Sequence, residues 1–97
     1  MAKKIIKTTK YCNIISQASL KDEEYTYCIE RIYVKEKKRD EIRFSLYKDT
    51  VLTDKRYVPR SLDVTELELI ELIKNSIKEK VFSEEFIQMI KQEISKM

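Results

Sequence analysis

Apolar and polar residues alternate through residues 41–47, the pattern of a β-strand that buries one face. Every second residue from Ile42 to Leu46 is apolar. Residues 25–34 are rich in β-branched and aromatic types, so they predict the partner strand of a hairpin. Residues 35–40 between these strands are charged. Because the chain has no Gly for a tight two-residue turn, we expect a longer loop at the hairpin tip.

Two further segments predict strands beside this hairpin. Residues 4–15 carry isoleucines, threonines and a tyrosine, which favour extended backbone. Residues 56–58 form a shorter segment, and Pro59 after it cannot donate to a ladder of hydrogen bonds. This last strand is therefore expected at an edge or an end of the sheet.

Residues 63–81 predict an α-helix, because apolar residues recur there at helical spacing. The apolar stripe consists of Leu69, Ile70, Ile73, Ile77 and Val81, widened by Leu67 and Leu72. Asp63 followed by Glu66 is the aspartate version of a capping box. Thr65 followed by Glu68 offers an alternative start for the same helix.

A second helix is predicted over residues 83–96. Ser83 is a favourable N-cap residue, and two glutamates follow it at the positive end of the helix dipole. Phe82 and Ile87 occupy the positions of a hydrophobic staple. The apolar face continues through Phe86, Ile90 and Ile94.

These elements predict an α+β fold in a single domain over residues 1–97. A three- or four-stranded antiparallel β-meander is expected to precede two C-terminal helices packed on one face. Residues 1–10 are expected to form a flexible basic arm, residues 25–60 the hairpin region, and residues 63–97 the helical region.

Strand parity divides the hairpin side chains between two faces of the sheet. The face expected to meet the helices carries Ile32, Val34, Ile42, Phe44 and Leu46. The face expected to point away carries Tyr27, Ile29, Arg31, Tyr33, Arg43 and Tyr47. This second face is aromatic and basic, so function is expected there.

The composition disfavours catalysis, because the chain has neither His nor Gly. His is the commonest general base near neutral pH and a common metal ligand, while phosphate-binding loops and nucleophile elbows need Gly. Cys12 and Cys28, sixteen residues apart, do not make a zinc site without His. We therefore expect no enzyme activity, cofactor or metal. With no signal peptide or membrane span, a cytoplasmic protein with reduced thiols is expected.

The charge is unevenly distributed along the chain. Residues 1–60 hold 15 Lys and Arg against 9 acidic residues, a balance of +6. Residues 61–97 hold 5 basic and 8 acidic residues, a balance of −3. The mild net charge of +3 therefore hides a basic strand half and an acidic helical half.

The basic, tyrosine-rich hairpin indicates a small accessory protein that binds DNA through a wing-like β-hairpin surface. Nucleic acid binding needs cations for phosphates and flat side chains for stacking. The predicted binding residues are Lys35, Lys37, Lys38, Arg39, Arg31, Arg43, Tyr33, Arg56 and Arg60.

The order of strands followed by a helix, with residues 56–60 leading into Leu62, resembles the layout of PC4-like single-strand-binding proteins. This resemblance covers residues 26–80 and implies a nucleic acid partner. The chain departs from that family in two features. It lacks the glycines of the turn before the helix, and it carries an additional C-terminal helix.

A protein–protein interaction module, such as an inhibitor or accessory subunit, is the alternative interpretation. The wide apolar stripe of the first helix, with Met89 and Met97 of the second, offers a surface for a protein partner or a homodimer. The two interpretations differ in their dependence on salt. DNA binding weakens steeply as salt rises, whereas apolar association does not.

Overall fold

The computed structural model describes residues 5–50 and 56–97 of the chain. In these residues an antiparallel sheet of five strands, in the order β1-β2-β3-β4-β5, precedes two α-helices. The strands are β1 (Lys7–Thr8), β2 (Cys12–Asp22), β3 (Tyr25–Val34), β4 (Arg39–Lys48) and β5 (Arg56–Val64). The helices are α1 (Glu66–Lys78) and α2 (Glu84–Ser95). The predicted α+β meander followed by two helices is confirmed, with one strand more than expected.

The single strand predicted over residues 4–15 is wrong, because a turn divides this segment. The Thr9 hydroxyl accepts hydrogen bonds from the backbone N–H groups of Tyr11 at 3.2 Å and Cys12 at 3.1 Å. A threonine that binds the backbone in this way favours a turn over a continuous strand. Lys7, expected in a flexible arm, instead lies in β1 opposite Ile14. Residues 1–4 of that arm lie outside the described residues.

The β3–β4 hairpin closes through a four-residue tip at residues 35–38. Val34 pairs with Arg39 on either side of the tip, and the N–H of Lys38 donates to the carbonyl of Val34 at 2.8 Å. Lys38 adopts a left-handed backbone conformation with φ of 53°, which replaces the glycine expected in shorter turns. A tip with an even number of residues places Ile32 opposite Glu41.

This register overturns the predicted division of side chains between the two faces. Directly opposed residues share a face, so Arg31, opposite Ile42, lies with the apolar residues of β4. One face, here called the open face, carries Tyr27, Ile29, Arg31, Tyr33, Ile42, Phe44 and Leu46. The other, here called the buried face, carries Thr26, Cys28, Glu30, Ile32, Glu41, Arg43, Ser45 and Tyr47. The predicted aromatic and basic face is therefore wrong, because Arg31 and Arg43 lie on opposite sides of the sheet.

The core of the sheet lies on the buried face. Cys12, Ile14 and Ile32 form a buried cluster against which Val34 packs. Cys12 and Cys28 are both buried and are not joined by a disulfide. The buried face also holds polar side chains, so only part of it is an apolar core.

The last strand, β5, forms an edge of the sheet, as Pro59 predicted. It is longer than expected and reaches Val64, which pairs with Ile42. The helix start predicted at Asp63 is therefore wrong, because this residue still pairs with Arg43 in the sheet. Helix α1 begins at Glu66, which matches the alternative start at Thr65.

The predicted cap of α2 is confirmed. Ser83 Oγ accepts a hydrogen bond from the backbone N–H of Phe86 at 3.1 Å, and Glu84 and Glu85 fill the first turn. The rings of Phe82 and Phe86 meet edge to face with centroids 5.1 Å apart. Neither α1 nor α2 contains a buried residue, although both carry apolar side chains at helical spacing. The residues from Leu67 to Met97 form a compact unit separate from the sheet unit, Met1–Glu66.

Candidate functional site

The cationic hairpin tip is largely paired with oxygen atoms of the chain itself. Lys35 Nζ donates to the Thr9 carbonyl at 2.7 Å. Arg39 lies 2.8 Å from the carboxylate of Glu41, and Lys37 lies 3.6 Å from the same group. Because Glu41 is only 3% exposed, these two cations compensate a nearly buried charge. Lys38, whose side chain is exposed, is the tip residue that best matches the predicted DNA-binding wing.

Arg31 bridges two carboxylates at one end of the open face. Its guanidinium lies 3.2 Å from Asp40 and 3.1 Å from Glu66, the first residue of α1. The hydrogen bonds to Glu66 and Asp40 raise the pKa of Arg31 above its ordinary value. Tyr33, directly opposite Asp40, is half-buried. The predicted binding role of Arg31 therefore competes with a structural role at the β5–α1 junction.

Arg43 lies on the buried face and joins β4 to β5. Its Nε and Nη2 atoms donate to the two oxygens of Asp63 at 2.8 and 2.9 Å. The guanidinium also lies 5.6 Å from the ring centroid of Tyr57. Hydrogen bonding to Asp63 raises the pKa of Arg43, and its side chain is only 14% exposed. This bidentate geometry matches a structural ion pair.

Arg56 and Lys48 lie opposite each other at the other end of the open face. Arg56 is exposed, and Lys48 Nζ lies 5.4 Å from the ring centroid of Tyr25. This end of the sheet lies far along the hairpin from the tip and carries both signs of charge, because Asp22 lies opposite Tyr25 and Asp49 pairs with Lys21. The side chain of Arg60, the remaining predicted binding residue, lies outside the described part of the chain.

Glu30 forms a buried hydrogen-bond network that the sequence interpretation missed. Its carboxylate is fully buried and accepts hydrogen bonds from Gln17 at 2.6 Å, Ser45 at 2.8 Å and Tyr47 at 2.7 Å. All three donors are neutral, so hydrogen bonding rather than an ion pair compensates the desolvated group. The signal was present in the sequence, since Glu30 shares strand parity with Cys28 and Ile32.

Burial and the bond to Glu30 raise the pKa of Tyr47 well above its ordinary value. The Tyr47 ring also meets the Tyr57 ring, with centroids 5.6 Å apart. The network therefore links three neighbouring strands and the edge strand β5. It has the character of a structural support within the sheet.

The open face carries a broad apolar groove. A cavity of about 650 Å³ lies there, lined mainly by the side chains of Ala18, Leu20, Tyr27, Ile29, Phe44, Leu46 and Val58. Ile29 at its centre is 51% exposed, and the opposing Phe44 is 38% exposed. Contiguous exposed apolar patches, unlike single exposed apolar residues, mark interaction sites or ligand-binding grooves. Phe44 and Leu46 were expected on the face covered by the helices, and the groove was not predicted.

A second cavity, of about 440 Å³, opens on the buried face. It is lined by Lys7, Thr9, Tyr11, Ile14, Arg43, Tyr47, Tyr57 and Asp63. Tyr11 is 71% exposed at its mouth. This cavity combines aromatic rings with cations. Arg43 was predicted as a binding residue, Tyr47 was expected on the aromatic and basic face, and Lys7 was expected in the basic arm.

Within residues 5–50 and 56–97, no group of three or more His, Cys, Asp or Glu side chains is placed to hold a metal ion. In the same residues, no helix has the length and apolar character needed to cross a membrane.

No family model, curated protein or solved structure matches the chain.

Proposed function

We propose that this chain is a small non-catalytic interaction module that binds a protein partner through the open face of its sheet. The observation that carries the proposal is the exposed apolar groove around Ile29 and Phe44. Burying apolar surface contributes about 25 cal/mol per Å², so an exposed groove of this kind favours association. The cations at its ends, Arg31 and Lys48, add a polar rim of the kind found in protein interfaces.

The charges of the hairpin tip favour a protein partner over DNA. Lys37 and Arg39 already compensate Glu41, and Lys35 is held by the Thr9 carbonyl. Moving these side chains onto phosphates would leave a nearly buried carboxylate without its partners, which is costly. A protein partner on the open face requires no such loss.

DNA binding is a second candidate function, favoured by the cavity on the buried face. Tyr11 and Tyr57 offer rings to a nucleobase, and Lys7 offers a cation to the backbone. Single-strand binders combine these features, and each stacked base contributes about 1–3 kcal/mol. In this second candidate, DNA contacts the cavity on the buried face and not the hairpin tip.

The test measures complex formation at 50 and 500 mM NaCl with the wild-type chain, Ile29→Asp and Tyr11→Ala. Sedimentation velocity follows self-association of the purified chain, pull-down from a cell extract follows complexes with other proteins, and band shifts follow single- and double-stranded DNA. The proposal predicts a protein complex that persists at 500 mM NaCl and is lost only in Ile29→Asp. A DNA complex lost at high salt and in Tyr11→Ala, with no protein complex, would overturn it in favour of the second candidate.

A further inference from the structure

The open face and the two helices each expose large apolar side chains. The open face of the sheet exposes Leu20, Tyr27, Ile29, Phe44 and Leu62. In the helical unit, eleven large apolar residues are between 36% and 99% exposed. They are Leu67, Ile70, Leu72, Ile73, Ile77, Val81, Phe86, Met89, Ile90, Ile94 and Met97.

The helices need a surface to cover their apolar stripes. Helices α1 and α2 have 13 and 12 residues, and helices of this length are marginal in water without packing. Their apolar positions nevertheless recur every three or four residues, as in helices that bury one face.

We propose that the open face of each chain is covered by the α1–α2 segment of a second copy, in a symmetric dimer with two equivalent sheet–helix contacts. This inference rests on the proposed function, because it names the protein partner of the open face. Exchange of an element between identical chains is a low-cost route to a closed dimer, since two-fold symmetry satisfies both surfaces at once.

Charge favours this arrangement over a contact between two helical segments. The strand half of the chain has a balance of +6 and the helical half a balance of −3. A contact between two helical segments would bring two acidic segments together. Contact between the sheet of one copy and the helices of the other pairs opposite charges, which favours association. Lys48 and Arg56 pair at one end of the open face, where they would offer cations to the acidic helical segment.

The available area is sufficient for a stable dimer. A large apolar side chain presents roughly 100 Å², so two symmetric contacts would bury on the order of 1,000 Å² of apolar surface. Standard interfaces bury about 1,200–2,000 Å² in total, of which somewhat more than half is apolar. The two surfaces of this chain therefore suffice without a third component.

The test compares single variants with their mixture. Ile29→Asp disrupts the open face, and Ile70→Asp disrupts the helical face at a position that is 54% exposed. Light scattering after size exclusion should show a wild-type dimer, and each variant alone should raise the dissociation constant at least tenfold. An equimolar mixture should recover a heterodimer, because one sheet–helix contact remains intact in it.

Gln88→Asp, at an exposed polar position of α2, is the matched control and should leave the dimer unchanged. Leu20→Asp, at a position that is 68% exposed, provides a second test of the open face if Ile29→Asp unfolds the chain. Circular dichroism melting establishes that each variant is folded.

Three outcomes would overturn the inference, and they separate it from the proposed function. A wild-type monomer at every concentration, with capture of a different protein that Ile29→Asp abolishes, leaves the proposed function standing alone. A dimer sensitive to only one of the two variants indicates a sheet–sheet or helix–helix contact. A monomer that captures no protein removes both proposals.

Discussion

Arg43 of β4 donates two hydrogen bonds to Asp63 of β5, at 2.8 and 2.9 Å, and thereby ties the edge strand to the sheet. The pair was predicted to be separate, with Arg43 binding nucleic acid and Asp63 capping a helix. In the structure, Arg43 and Asp63 are each other's hydrogen-bond partners. Removing either side chain should therefore lower stability rather than weaken binding.

Arg43→Ala is therefore expected to lower the free energy of unfolding by about 1.5–3 kcal/mol, the range for hydrogen bonds to charged groups. Urea denaturation measures this change. The control is Lys96→Ala, which removes an ion pair to Glu93 whose side chains are 69% and 72% exposed. Exposed pairs contribute about 0–1 kcal/mol, so the control should change stability little. Equal effects of the two substitutions would contradict a structural role for Arg43.

Glu30→Gln should destabilise the sheet although the substituted side chain has nearly the same shape. The carboxylate accepts from three donors, and the amide of glutamine would turn a donor toward one of them. Leaving a buried polar group unsatisfied costs about 1–3 kcal/mol. Thermal and urea denaturation measure the loss, with Glu36→Gln in the exposed hairpin tip as the control. Unchanged stability in Glu30→Gln would mean that the network adapts to a neutral side chain.

Tyr47 predicts a loss of stability at alkaline pH. Its pKa in the folded chain is raised, first by burial and then by the bond to Glu30, above the ordinary value of about 10. Above pH 10 the unfolded chain releases this proton while the folded chain retains it, so stability falls as pH rises. Below pH 10 both states hold the proton, and this group adds no pH dependence.

Urea denaturation of Tyr47→Phe between pH 8 and 11 measures that contribution. The variant should be less stable than the wild type at pH 8, because Glu30 loses a donor, but its stability should fall less steeply above pH 10. Tyr11→Phe is the control, since Tyr11 is exposed. Parallel curves for Tyr47→Phe and the wild type would show that this hydroxyl titrates normally in the folded chain.

Ser83→Ala should destabilise helix α2 by about 1 kcal/mol, because the N–H of Phe86 loses its acceptor. Helical content followed by circular dichroism during thermal melting measures the effect. Ser95→Ala, in the last turn of the same helix, removes a hydroxyl without removing the cap and should have a smaller effect. Equal melting curves for the two variants would mean that the cap does not limit the helix.

Local patterns determined the elements that the structure confirms. Residues 25–34 form β3 as predicted, because branched and aromatic side chains favour extended backbone there. Ser83 determined the start of α2, because a hydroxyl at that position satisfies an unpaired backbone N–H within three residues. Pro59 correctly predicted an edge position for β5, because it has no N–H to donate.

Contacts between distant residues decided what the sequence left open. The polar second half of β2 becomes a strand because β3 offers it a ladder of partners, and Asp63 remains in a strand because Arg43 holds it. Neither partner is recognisable from the residues next to it in sequence.

The sequence by itself determined that strands precede two helices, the edge position of β5, the cap of α2 and the uneven charge. Only the tertiary structure decided which residues share a face, because the parity of an antiparallel hairpin depends on the number of residues in its tip. With four residues in the tip, Arg31 joins Phe44 on the open face and Arg43 joins Glu30 on the buried face. One residue more or fewer in that tip would reverse this division, and nothing in the sequence of residues 35–40 specifies the number.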